Sequence, residues 1–400
     1  MFASARRRVL LGVVLLVVAA ALVVGFGLGS SATPGEPPRI FVEAPERAVA
    51  GAPLDVFVSV DVPAVVRVRY ADTAIEEVAQ DLRLSLLAEA GTWTLAVEAE
   101  DGAGRVARDE RSISAAWPPA PRLGAVDSLV VGEALTLRLS WRDDPTRVPM
   151  LAVTDAYLEI DGRRLDALVG QGERIALLPV ALQEQSGVRN VRGVVVDAFG
   201  AEHEVLGAIT VASNPHPVQE LFVAASTLAV VTPEGRALEA ETLERAFAAV
   251  APEPRWERSF VLPLEGRHTS AFGLPRRYAP GGPVSFHLGT DIAAPTGTPI
   301  RATNDGVVRV AGMYPIKGGL VVLDHGFGVT SLYFHQSALA VTEGETVERG
   351  QVIGYVGSTG LSTGPHLHWE MRVDGVPTAP LAWVDRRWPG GPLERSEERP

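Results

Sequence analysis

The chain has no cysteine among its 400 residues. That excludes disulfides, thiolate metal sites, a cysteine nucleophile and a lipid-modified N-terminal cysteine together. Lysine is almost as scarce: Lys317 is the one lysine in a set of 36 basic residues, against 48 acidic ones. The net charge of −12, with no basic stripe interleaved with aromatics, argues against a nucleic-acid partner. What remains is a chain with 46% hydrophobic and 21% charged residues, the balance of a folded protein long enough for two to four domains. Any metal must be held by histidine and carboxylate.

The N-terminus carries a long apolar run. Arg6, Arg7 and Arg8 precede an uncharged stretch over residues 9–29, and as a helix it would cover about 31 Å, enough for a bilayer core. Residues 1–8 therefore read as a cytoplasmic N-terminus and 9–29 as a single transmembrane anchor. A cleaved signal peptide ending near Ser30-Ser31-Ala32 is the alternative, which would make the protein secreted. Either way the arginines stay inside and everything after about residue 30 is extracytoplasmic.

Residues 30–38 are proline-rich and polar, a linker. From 39 to 117 short runs alternate apolar and polar residues, as in Leu54-Asp55-Val56-Phe57-Val58 and Trp93-Thr94-Leu95-Ala96-Val97. Period-2 alternation predicts half-buried strands. After the Pro118-Pro119-Ala120-Pro121 break, residues 122–213 repeat the pattern. Asp101-Gly102-Ala103-Gly104 is echoed by Asp197-Ala198-Phe199-Gly200. Two tandem immunoglobulin-like β-sandwich modules are expected. Residues 214–258 read as a linker with a short helix over Glu239–Val250, its apolar face formed by Leu243, Phe247 and Val250. Pro233-Glu234-Gly235 reads as a turn before it.

Six of the eight histidines lie beyond residue 267. His366-Leu367-His368-Trp369-Glu370 alternates, so both imidazoles share one face of a strand, their Cβ atoms about 7 Å apart. Both could reach one centre, though only one need be a ligand. His335 ends another alternating run, so a neighbouring strand could add a third imidazole. His287 and Asp291 sit four apart around Gly289, a spacing that lets a strand end wrap a metal. Two imidazoles and a carboxylate, with the fourth position left to water, make a catalytic zinc arrangement. Glu370 reads as an exposed strand carboxylate, with a role behind the ligands as the alternative. Asp324 and His325 read as structural, and His203 and His216 stand singly. Arg277 and Tyr278 are candidates for lining a substrate groove.

Several of these segments, in this order, resemble the M23 family of zinc metallopeptidases, the lysostaphin and LytM type. They are Ser270-Ala271-Phe272-Gly273, His287-Leu288-Gly289-Thr290-Asp291, Asp324-His325-Gly326, Gly350-Gln351-Val352-Ile353-Gly354 and Gly357 through His368. The resemblance implies an antiparallel β-sheet peptidase domain over residues 259–385, followed by a tail at 386–400. It implies one zinc ion on His287, Asp291 and His368. The non-ligand catalytic pair would be His366 as base and His335 at the oxyanion. It points to peptidoglycan peptides as substrate. The alternative function is a LytM-type regulator that activates other wall hydrolases through a protein partner. A biotinyl-type carrier, suggested by residues 341–354, lacks the attachment lysine in that motif.

Overall fold

The computed structural model describes residues 35–384, apart from 125–127, 143–145, 222–227, 257 and 279–280. It is mainly β. Two compact units divide the chain, residues 1–115 and 116–400.

The expected architecture needs correction at one point. The transmembrane anchor at 9–29 lies outside the described residues, and among the described residues no helix is long and apolar enough to cross a membrane. The described fold is therefore mainly β without a membrane-crossing helix. In the first module, expected to be immunoglobulin-like, the strands are continuous in one hydrogen-bonded sheet. Alternation reports which face of a strand is buried and is silent on how many sheets share the core. Here the long strand Pro53–Tyr70 buries Leu54, Val56, Val58 and Val60, then Ala64, Val66, Val68 and Tyr70, all on one face. Its ladder with Thr73–Leu87 breaks register between Ser59 and Ala64, where an irregularity of this kind bends a strand. One edge then pairs Ile40–Glu43 before the break and Gly91–Asp101 after it.

The second β region is built from two sheets, one of five strands and one of four, around a shared core. Leu137 and Leu139 of one sheet meet Leu158, Val195 and Ile209 of the other. The Asp-x-x-Gly turn recurs in both regions for the same reason. The Asp101 and Asp197 carboxylates each accept two backbone N–H groups of the turn they open, at 2.8–3.1 Å. His203 donates to the buried Asp197 at 2.8 Å, a structural contact.

The helix α1 runs over Pro233–Ala248, starting earlier than the apolar pattern suggests. The Thr232 hydroxyl accepts from Gly235 N at 3.0 Å, and Pro233 suits the first turn, where its missing N–H costs nothing. The supposed turn at 233–235 is thus the helix start. Its buried residues include Leu243 and Ala246 but also Glu239 and Thr242.

The C-terminal domain is organised by an antiparallel sheet whose central strands are β1 (Thr290–Ala293), β2 (Gly306–Tyr314), β3 (Gly318–Gly326), β4 (Val329–Gln336) and β5 (His366–Val373). The order is β1-β5-β4-β3-β2. Leu367, Trp369 and Met371 of β5 point to one face, into a core with Tyr333, Val321 and Ile292. On the other face α1 packs Leu243 and Ala246 over Val310, Leu320, Val322, Leu332 and Phe334. The rest of that face, at β1 and β5, carries the polar cluster.

Candidate metal centre

Register assembles the cluster. In the β1–β5 ladder Asp291 stands opposite His368, and in the β4–β5 ladder Phe334 stands opposite His368. His287 enters from the turn before β1, only four residues from Asp291. Between them Gly289 is required: a Cβ there would fall 2.5 Å from Trp369 O and 2.7 Å from His368 Nε2.

Three ligand atoms converge. His287 Nε2, His368 Nδ1 and Asp291 Oδ1 lie 2.8–3.0 Å from one another. Both rings have their other nitrogen occupied. The His287 Nδ1–H donates to Ala271 O at 2.8 Å, and a carbonyl can only accept. The His368 Nε2–H donates to Glu370 Oε1 at 3.1 Å. The second nitrogen of each ring therefore faces the Asp291 carboxylate; at His368 it holds a proton that a metal ion would displace to reach the lone pair. Three ligand atoms facing one another fit a cation, and the two anchoring contacts are those that orient metal-binding imidazoles. His287, Asp291 and His368 group as a metal-binding set among the described residues.

The electrostatics point the same way. Burial disfavours the charged form of His368, yet Asp291 and Glu370 outweigh it and push the imidazole up to about 9. Burial would raise Asp291, but hydrogen bonds from His287 and His368 hold it far below the usual carboxylate range. His287 is lowered chiefly by burial. The cluster favours an added positive charge at its centre.

His335 reaches the cluster by breaking the strand rule. Alternation along β4 gives the His368 side of the sheet to Phe334 and should send His335 to the opposite face. Instead His335 takes a left-handed backbone, φ +63°, uncommon outside glycine. Its amide donates to Lys317 O at 2.9 Å and its Nδ1–H to Thr359 O at 2.8 Å. The ring centre then lies 4.8 Å from that of His366 and 6.2 Å from that of His368. Burial, then the neighbouring His368 and His366, lower His335 to about 3. His366 donates its Nδ1–H to Gly364 O at 2.8 Å, leaving Nε2 3.8 Å from Asp291 Oδ1.

Residues 285–380 match the family model of peptidase family M23. The C-terminal domain belongs to that family. Its stretch is 51% identical over 97 residues to the DD-carboxypeptidase/endopeptidase Mpg of Neisseria meningitidis, covering 24% of this chain and 22% of that protein. It is 41% identical over 137 residues to the peptidoglycan DD-endopeptidase ShyA of Vibrio cholerae, covering 34% and 30%. An uncharacterized metalloprotease of Haemophilus influenzae is 32% identical over 212 residues, covering 52% and 42%. The chain thus spans between 22% and 42% of these relatives' lengths.

Other residues of the M23 domain sort by contact. Glu370, expected on an exposed strand face, is 3% exposed. Arg372 donates to its Oε2 at 2.7 Å. Burial opposes the Glu370 charge, but Arg372 and His368 outweigh it and bring the carboxyl to about 2, so it accepts from His368 as an anion. Arg277 turns away from the ligands, donating to Gly282 O at 3.1 Å and pairing with Glu220. Tyr278 is 39% exposed. Its neighbour Arg276 is the one that faces the centre, 3.9 Å from Asp291 Oδ2 and donating to Ser270 Oγ. Sequence reasoning passed over Arg276, although opposite pointing of successive strand residues would distinguish it from Arg277. His325 is fully buried, donating from Nδ1 to Asp305 O and sharing a hydrogen bond with Ser331 Oγ through Nε2, each at 2.7 Å. Asp324 accepts from Arg309 at 2.6 Å. Both are structural.

Proposed function

We propose that the M23 domain is a zinc metalloendopeptidase hydrolysing peptide cross-links of bacterial peptidoglycan. The observation that carries this reading is the convergence of three ligand atoms whose rings are already anchored on their far sides. Their type, two imidazoles and one carboxylate, suits zinc in a catalytic site with an open position. His287, Asp291 and His368 would hold the zinc, which would supply Lewis acidity to polarise a scissile carbonyl and acidify a water.

His366 then serves as base. With its Nδ1–H held by Gly364 O, its Nε2 accepts a proton beside Asp291. His335 stabilises the oxyanion. Burial keeps it neutral in the resting site and its Nδ1–H is committed to Thr359 O, so the role takes a second proton from solvent at Nε2 as negative charge develops and returns it when the peptide bond has broken. Relatives named peptidoglycan DD-endopeptidases support wall peptide as substrate, and our reading has the enzyme act outside the cytoplasmic membrane.

Digestion of purified muropeptides by the zinc-loaded full chain, read by mass, tests the proposal. Shortened peptides are expected, with loss of cleavage on chelation and in His368→Ala. Cleavage persisting in either sample would refute the zinc mechanism. No cleavage by the loaded wild type would favour the regulator.

A further inference from the structure

Helix α1 lies outside the stretch that matches the family, residues 285–380, yet two chains of contacts run from it to His368. The first starts at Glu239, 2% exposed. Its carboxylate accepts from Ile316 N at 2.6 Å, Lys317 N at 2.9 Å and Lys317 Nζ at 2.7 Å. The Lys317 ammonium sits 5.4 Å over the Phe334 ring, and Phe334 stacks on His368 with centroids 4.8 Å apart and planes at 26°. Lys317 O also accepts the His335 amide at 2.9 Å. That contact helps hold the left-handed backbone on which the His335 orientation depends.

The second chain starts at Phe247, whose ring lies 5.2 Å from the Arg372 guanidinium. Arg372 holds Glu370, and Glu370 accepts from His368. A metal-site imidazole is thus braced on its stacking face through Glu239 and Lys317 and at its far nitrogen through Phe247 and Arg372.

We propose that α1 is a positioning element of the proposed peptidase site, with Glu239 and Lys317 as positioning residues that set the Phe334–His335 corner. The helix does more than cover apolar surface. A buried carboxylate that collects two amides and the chain's one lysine is a costly way to cover a sheet, whereas it fixes a loop in one place. The only role for lysine in this chain is then to tie that loop to the helix and to Phe334.

The inference rests on the peptidase reading, so its test has a readout independent of cleavage. In the full chain, Glu239→Gln, Lys317→Met and Lys317→Arg are compared with Leu243→Ala, which thins the α1 packing of the cluster that includes Phe334 but removes no hydrogen bond, ion pair or ring contact of either chain. Expected are kcat falls of roughly 10- to 100-fold for Glu239→Gln and Lys317→Met, the scale of a misplaced catalytic group. KM and bound metal should stay near wild type, Lys317→Arg should recover most of the loss, and Leu243→Ala should lower Tm while keeping kcat. Hydrogen exchange at the His335 amide should quicken in Glu239→Gln more than in Leu243→Ala. If kcat loss follows Tm alike in all variants, or Glu239→Gln keeps wild-type kcat, α1 is packing only. Should the wild type cleave no wall peptide, the peptidase reading falls, and the exchange comparison alone upholds or overturns the positioning role.

Discussion

Single residues decide whether the centre holds a cation. Glu370→Gln keeps the shape of the contact behind His368 but removes the anion that makes the ring a strong donor of its lone pair. Metal affinity should fall about 10- to 100-fold, measured by competition with a chromogenic chelator. Gly289→Ala should be worse, because the added Cβ has backbone on one side and the His368 ring on the other. Loss of bound metal, read by elemental analysis of the purified variant, is the expected outcome, with stoichiometric metal as the contrary result. Stability against acid also turns on single groups. His325 is held near 4, first by burial and against the pull of Asp305 O and nearby carboxylates. Its unfolded value lies near 6.5, so the unfolded chain binds more protons between those limits. The stabilisation is complete above about pH 6.5 and is lost as pH falls, by roughly 3 kcal/mol at pH 4. Chemical denaturation of wild type and His325→Gln across pH 4–7 checks this; the variant should show a flatter profile.

Elements matter where a segment outside the family stretch closes the core. Phe260 contacts Trp256, His325 and Trp383 edge-on, with ring centroids 5.2–5.4 Å apart. Phe260→Ala should cost about 3–5 kcal/mol, read as a shift in denaturation midpoint. A change below about 1 kcal/mol would mean that the segment is peripheral. The strand β4 shows why pattern reading stops at element ends. Its alternation places Tyr333 and Phe334 correctly on opposite faces, but His335 departs from it through a positive φ that the local sequence does not announce.

At the scale of the molecule, the unit 116–400 joins the second β region to the M23 domain. Ala134 and Leu177 belong to the same buried cluster as Trp369 and Phe260. Ala379 N donates to Gly132 O at 2.7 Å, and Asn214 Nδ2 to Gly273 O at 2.6 Å. The M23 domain should therefore melt together with residues 122–213. Deleting them, or introducing Leu177→Asp, should lower the Tm of the metal site as followed by metal release. Two well-separated calorimetric transitions within 116–384 would contradict this coupling.

The sequence alone determined the donor chemistry and the strand faces. Without cysteine only histidine and carboxylate remain as ligands, and His-x-His in an alternating run must share a face. The His287, Gly289 and Asp291 spacing is legible for the same reason, since four residues at a strand end are short enough to wrap one ion. Tertiary structure decided what spacing cannot carry. It buried Glu370 behind His368 and turned His335 against its strand. It closed the first β region into one sheet and brought α1 under the site. The positions depend on partners distant in sequence, such as Phe247 for the Arg372 that holds Glu370, Lys317 for His335, or Glu239 for Lys317. Local pattern encodes periodicity, and only the folded chain supplies those partners.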